Sequence, residues 1–199
     1  MSMQTLGPKP RALMLVLLGS LFVSAPKVWA FDLESVLKAT KITPPARVRF
    51  REERHNPLLK EALILSGYLE YLEQGQLRKV IESPFQETLL ISGDKIEIVW
   101  DGETQTLSAK HSRSLRTMMA GIEAILAGRE DQLLAAFSAD LTGTADAWNL
   151  SLAPRSKRIS KQLIGLNVSG NAGAVTSIRI DLSGQEWHRM EIIPDDTEQ

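Results

Sequence analysis

The chain has 199 residues, with 23 basic and 24 acidic side chains, three histidines and no cysteine. Without cysteine there is no disulfide framework, Fe–S ligation or thiol chemistry. A net charge of −1 offers no basic surface for a phosphate backbone.

Lys9 and Arg11 precede an apolar run from Ala12 to Val23, broken only by Gly19 and Ser20, and Val28-Trp29-Ala30 puts small residues where a signal peptidase reads. This pattern predicts a secretory signal over residues 1–30, cleaved after Ala30, and hence a periplasmic protein. The run is shorter than the roughly 18 to 20 apolar residues of a spanning helix. Cleavage removes Lys9, Arg11 and Lys27 from the 23 basic residues, leaving 20 against 24 acidic ones, a net charge of −4. Residues 31–199 are then long enough for one domain with its own core, and nucleic acid is excluded as a partner.

Phe31 to Ala39 reads as a helix, with Leu33, Val36 and Leu37 on one face and Thr43-Pro44-Pro45 as its stop. Ala46 to Glu53 alternates as a strand, with Val48 and Phe50 on one face and Arg47, Arg49 and Arg51 on the other, a row read as a solvated strand face in preference to an anion site. His55-Asn56-Pro57 is a turn, and Leu58 to Leu65 is read as a second, less regular strand. From Gly67 to Trp100, turn signals at Gly75, Pro84 and Gly93-Asp94 separate short alternating runs. Leu69 and Tyr71 alternate with Tyr68, Glu70 and Leu72, and Ile96 and Ile98 alternate with Lys95 and Glu97. Turns so close together predict an antiparallel meander with one apolar face, which Asp101-Gly102 extends to a short strand at Glu103–Leu107.

The period then changes. Leu115, Met118, Met119, Ile122, Ile125 and Leu126 share one helix face, with Ser114 as the expected N-cap and Gly128 as the stop. A second short helix is expected over Glu130–Ser138, carrying Leu133, Leu134 and Phe137. Strands resume at Ala147–Leu152, Leu163–Val168, Val175–Leu182 and Trp187–Ile193, before an acidic, frayed tail from Pro194 to Gln199. The expectation is an α+β, mainly β domain of about ten strands without internal repeats. Its helical pair either seals an ordinary core or forms a movable cover over an apolar cavity, and the Met118-Met119 pair suits the second because Met packs adaptably.

No catalytic, metal or cofactor site is expected, and the chain is not read as an enzyme. His55, His111 and His188 lack metal-ligand spacing, no Gly-Xaa-Ser-Xaa-Gly elbow occurs, and Gly170-Asn-Ala-Gly173 opens no helix. Glu52-Glu53 and Asp195-Asp196 are read as acid pairs on exposed stretches.

In order and spacing, several segments resemble the LolA family of periplasmic lipoprotein carriers. They are Val48 and Phe50, Gly67-Tyr-Leu through Pro84, Leu89 through Lys95, Trp148-Asn-Leu-Ser-Leu-Ala-Pro154 and Ile164-Gly-Leu-Asn-Val168. The resemblance implies an incomplete antiparallel β-barrel closed by helices, with a hydrophobic interior that takes acyl chains. The family's Arg-Pro, whose arginine latches the lid, falls on Glu73-Gln74 here. Leu77 and Lys79 stand where aromatic residues are usual, Ile96-Glu97-Ile98 replaces a further aromatic position, and Arg78 is out of register for the latch. This pattern reads as a divergent branch.

The function so implied is a monomeric carrier of lipoprotein acyl chains or other lipids, loaded at an inner-membrane exporter and relieved by an outer-membrane acceptor. The alternative is a lipid-sensing adaptor that binds a membrane protein. The expected cavity lining comprises Val48, Phe50, Leu69, Tyr71, Leu77 and Ile81, followed by Leu89, Ile91, Ile96, Ile98 and Trp100. Met118, Met119, Ile122 and Leu126 are added from the helix, and Trp148, Leu150, Ile164, Leu166 and Ile178 from the late strands.

Overall fold

The computed structural model describes residues 31–73 and 75–193. The expected signal and its cleavage site, Gln74 of the latch position and the acidic tail lie outside the described residues. Asp32 caps helix α1 (Leu33–Ala39): its carboxylate accepts from the Ser35 amide at 2.8 Å, and the Ser35 hydroxyl accepts from the Asp32 amide at 3.1 Å. The helix buries Val36 and Leu37.

Eleven antiparallel strands follow: β1 (Ala46–His55), β2 (Leu63–Glu73), β3 (Gln76–Ser83), β4 (Glu87–Ser92), β5 (Lys95–Trp100), β6 (Glu103–Ser108), β7 (Phe137–Thr144), β8 (Ala147–Pro154), β9 (Leu163–Asn171), β10 (Ala174–Leu182) and β11 (Trp187–Ile193). They form one sheet in the order β6-β5-β4-β3-β2-β1-β11-β10-β9-β8-β7. Two meanders are thus joined where β1 pairs with β11, and the barrel is open, with β6 and β7 as its edges. Opposed residues share a face. One row therefore runs Val48, Leu69, Lys79, Leu89, Ile98, and the next runs Ala46, Tyr71, Leu77, Ile91, Ile96.

Three boundaries differ from the sequence reading. Leu58, 89% exposed, and Leu59 lie in a turn, and β2 begins only at Leu63. The Asn56 side chain accepts from the Leu58 amide at 2.9 Å, an Asx turn that holds this segment out of the ladder. Helix α2 (Arg113–Ala127) is capped by Ser112 rather than Ser114, because the Ser112 hydroxyl accepts from the Leu115 amide, and Gly128 ends the helix at φ 67°. Helix α3 (Glu130–Ala136) stops at Ala136, and Phe137 opens β7, a strand absent from the sequence reading. In β7, Phe137, Ala139 and Leu141 alternate with the more exposed Ser138, Asp140 and Thr142.

The main core lies between the three helices and strands β7–β9. It gathers Leu37, Ile125, Leu133, Phe137, Leu150 and Leu166 among its buried members. Gly121 allows this approach: a Cβ there would stand 2.7 Å from Phe137 Cε2 and 3.1 Å from Cζ. A smaller core of Phe50, Leu65 and Ile81 lies under the other meander, with Leu63, Phe85 and Ile192 packed on it. The helices therefore pack directly on one half of the sheet and stand off from the inner face of the other half.

Candidate functional site

Helix α2 has two working faces. Gly121, Ala124 and Ile125 are buried against the core, while Leu115, Met118, Met119, Ile122 and Leu126 turn toward a cavity of about 600 Å³. Spacing of three and four residues puts these five on one stripe. The opposite wall is built from the inner rows of the first meander: Leu69 and Tyr71 on β2, Leu77 on β3, Leu89 and Ile91 on β4, and Ile96 on β5. Ile178 and Ile180 on β10 and Met190 on β11 complete the apolar wall. With Glu52 and Arg54 on β1 and Ala136 on α3, side chains from seven strands and two helices line a single hollow of the size that holds small ligands, about 300–1,000 Å³.

Of the residues expected to line it, Leu69, Tyr71, Leu77, Leu89, Ile91, Ile96, Met118, Met119, Ile122, Leu126 and Ile178 are brought together there. The other nine lie elsewhere. Trp148, Leu150 and Leu166 have the expected inward parity but belong to the filled half of the sheet, beneath the helices. Phe50 and Ile81 pack against each other in the smaller core. Val48 and Ile98 sit in the inner row beyond Leu69 and Leu89, outside the cavity wall. Trp100 ends β5 near the open edge and is 61% exposed. Ile164 is 51% exposed, next to the register shift between Asp181 and Leu182 that breaks strict alternation in β9.

Sequence reasoning missed a polar group on the same wall. Glu52, expected on an exposed stretch, is only 3% exposed. The Arg54 Nε donates to its Oε1 at 2.9 Å, Lys79 donates to its Oε2, and His188 Nδ1 stands 3.7 Å from Oε1. All four residues line the cavity. They meet because Glu52 and Arg54 continue the inner parity of Val48 and Phe50, and because Arg54 pairs with His188 across β1–β11. The signal was present in the alternation of β1, but acidic and basic side chains late in a strand were read as solvated. His188, singled out in the sequence only as lacking metal-ligand spacing, is half-buried here.

Burial works against the charge of Glu52, yet Lys79 and Arg54 outweigh it and hold the carboxyl below its ordinary value. Burial likewise pulls the Lys79 ammonium down despite Glu52. His188 is lowered first by burial and then by Arg54, so the imidazole is neutral at pH 7. The Lys79 ammonium also lies 4.8 Å from the centre of the Phe50 ring. Elsewhere on the wall, the Tyr71 hydroxyl is buried with no hydrogen-bond partner among the described residues.

The outer face behaves as expected. Arg47, Arg49 and Arg51 are exposed: the Arg47 guanidinium lies 3.7 Å from the centre of the Tyr68 ring, and Arg49 pairs with Glu82 at 2.7 Å. Arg78 faces away from the cavity and pairs with Glu70 at 2.9 Å. No helix among the described residues is long and apolar enough to cross a membrane.

A family model described as outer membrane lipoprotein carrier protein LolA-like matches residues 24–184. No curated protein sequence matches the chain. Among solved structures, a LolA superfamily protein from Nitrosomonas europaea is similar at 10% identity and a TM-score of 0.43, over 82% of this chain and 92% of that one. The lipoprotein LppX of Mycobacterium tuberculosis is similar at 10% identity and a TM-score of 0.42, over 81% and 93%. A chain of the Pseudomonas aeruginosa MucA/MucB complex reaches 13% identity and 0.37, over 81% and 55%.

Proposed function

From the premise that this chain belongs to the LolA-like family of outer membrane lipoprotein carrier proteins, we propose that it is a periplasmic carrier that shields acyl chains, of lipoproteins or of other lipids, between the inner and outer membranes. The observation that carries this reading is the half-filled interior. Helix α2 packs solidly on β7–β9 through Gly121 and leaves an apolar hollow of about 600 Å³ against β2–β5. Each methylene moved from water into such a space contributes about 0.8 kcal/mol, so a long chain is held firmly without any covalent bond. Release requires a greasier site on an acceptor, or a movement that shrinks the hollow. The apolar residues of the wall are the lipid-contacting set in this proposal, and the adaptable Met118 and Met119 suit variable tails.

Purification of the processed protein from periplasm, followed by native mass spectrometry, tests the proposal. Co-purified lipid or acylated protein supports the carrier. Binding of the neutral dye N-phenyl-1-naphthylamine, competed by long-chain amphiphiles, is the corresponding assay with purified protein, and its failure would count against the cavity as a lipid site. Exposed Trp100 and Leu107 near the β5–β6 edge favour a second reading, an adaptor that docks a membrane protein. A stoichiometric, unlipidated partner in the same spectra would select that reading instead.

A further inference from the structure

The polar group on the cavity wall has a composition that the apolar cargo site does not explain. An acyl-chain cavity gains nothing from charged side chains, and burying them is costly unless each is paired. Here one carboxylate, Glu52, serves two cations, Arg54 and Lys79, while His188 beside them is neutral. Within the cavity wall the cluster therefore carries one surplus positive charge. Glu87 also acts on Lys79, but it lies outside the cavity, beside Trp100. Asp94, Arg116 and Glu123 belong to other parts of the wall, on the turn after β4 and on α2. The buried Tyr71 hydroxyl, without a partner among the described residues, is not part of this cluster: Tyr71 pairs with Ala46, at the other end of β1 from Arg54.

We propose that Arg54 and Lys79 form a headgroup site, and that the cargo is an amphiphile with a single anionic end, a carboxylate or a phosphate, whose tail lies along α2. This inference rests on the carrier reading and adds to it the chemical class of the cargo. An anion at this place pairs the surplus cation, and Glu52 keeps the other cation pinned, so the site is pre-organised rather than assembled on binding. A neutral acyl ester fills the same hollow but leaves the surplus charge unanswered.

The test uses the full processed protein, stripped of lipid, with N-phenyl-1-naphthylamine displaced by palmitate, hexadecyl phosphate or 1-hexadecanol at pH 7.5. At least one anionic amphiphile should displace the dye at tenfold or more lower concentration than the alcohol of equal chain length, equivalent to about 1.4 kcal/mol. Arg54→Gln, which leaves Glu52 and Lys79 as a neutral pair, should bring the acid-to-alcohol ratio toward one. Glu52→Gln, which adds a positive charge to the wall, should raise that ratio above the parent value. Equal displacement by acids and alcohol in the parent protein, with the dye bound normally, overturns the headgroup site and leaves the carrier reading standing. A ratio unchanged in both variants also overturns it. If the dye does not bind the parent protein at all, the carrier reading itself fails.

Discussion

Lys79 on β3 and Glu52 on β1 form an ion pair across β2, on the face turned toward the cavity. Both side chains are largely withdrawn from water. Removing one member of a buried pair costs about 3–5 kcal/mol, because the other is left buried with its charge. Arg54 still holds Glu52 when Lys79 is lost, so Lys79→Met should fall at the low end, about 3 kcal/mol. The triple variant Glu52→Leu/Arg54→Met/Lys79→Leu should recover most of that loss, since it removes all three charges together and apolar residues of similar volume pack without desolvation cost. Urea unfolding of the two variants and the parent measures both numbers.

Acid should weaken the fold in two steps. The first comes from His188, whose folded value is below 6.5: as pH falls below 6.5 the unfolded chain takes up a proton that the folded protein refuses, and stability drops until the folded imidazole protonates too. The groups acting on this imidazole are Arg54, Glu52, Lys79 and Glu186, with burial and Arg54 dominant. The second step comes from Glu52, whose depressed value contributes stability above pH 4.5 that is lost as pH falls through the folded value. His188→Gln should remove the first step and leave the second. Thermal melts from pH 7.5 down to about 2.5 show whether it does.

Met119 lies on the α2 stripe that faces the cavity. Met119→Glu places a carboxylate against an apolar wall and should reduce dye or lipid uptake by more than tenfold. The far-ultraviolet circular dichroism of the sheet should be unchanged. Normal uptake by this variant would separate lipid binding from the α2 face.

Gly121→Ala sets two effects against each other. In a helix interior Ala is preferred over Gly by about 0.8–1 kcal/mol. The added methyl meets the buried Phe137 ring at 2.7 Å, and overpacking of this kind costs about 1–3 kcal/mol. Overpacking should win, with a net loss of about 1 kcal/mol in urea unfolding. A stabilised variant would show that α2 has room to lift from β7.

The strand pattern was legible wherever residues alternate without interruption. Trp148, Leu150 and Leu152 on β8 and Ile96 on β5 show their faces in the sequence and keep them in the fold. Ile164 did not, because the bulge beside it shifts the parity of β9; Gly165, a glycine inside a strand, was a local sign of it. Phe137 was read as the end of a helix since Leu133, Leu134 and Phe137 share helical spacing, while the ladder to β8 that makes it a strand is a tertiary contact. The site was about half legible for a similar reason. Inward parity is a local property, but which inward residues meet helices and which meet empty space depends on where α2 comes to rest. That placement separates Leu166 in the core from Leu69 on the cavity wall. Glu52 shows a different limit: its parity is readable, but nothing beside it in the sequence names Lys79 and His188, the distant partners it is buried with.

The sheet runs from β6 to β7 without those two strands meeting. In a closed barrel the girth is set by strand number and stagger, and it can grow only by rupturing a ladder. Here α2 rides on the β7–β9 side, while the facing wall belongs to β2–β5. The two sides are joined at the β1–β11 seam. A change in the bore would therefore call for added twist at that seam rather than the rupture of a ladder.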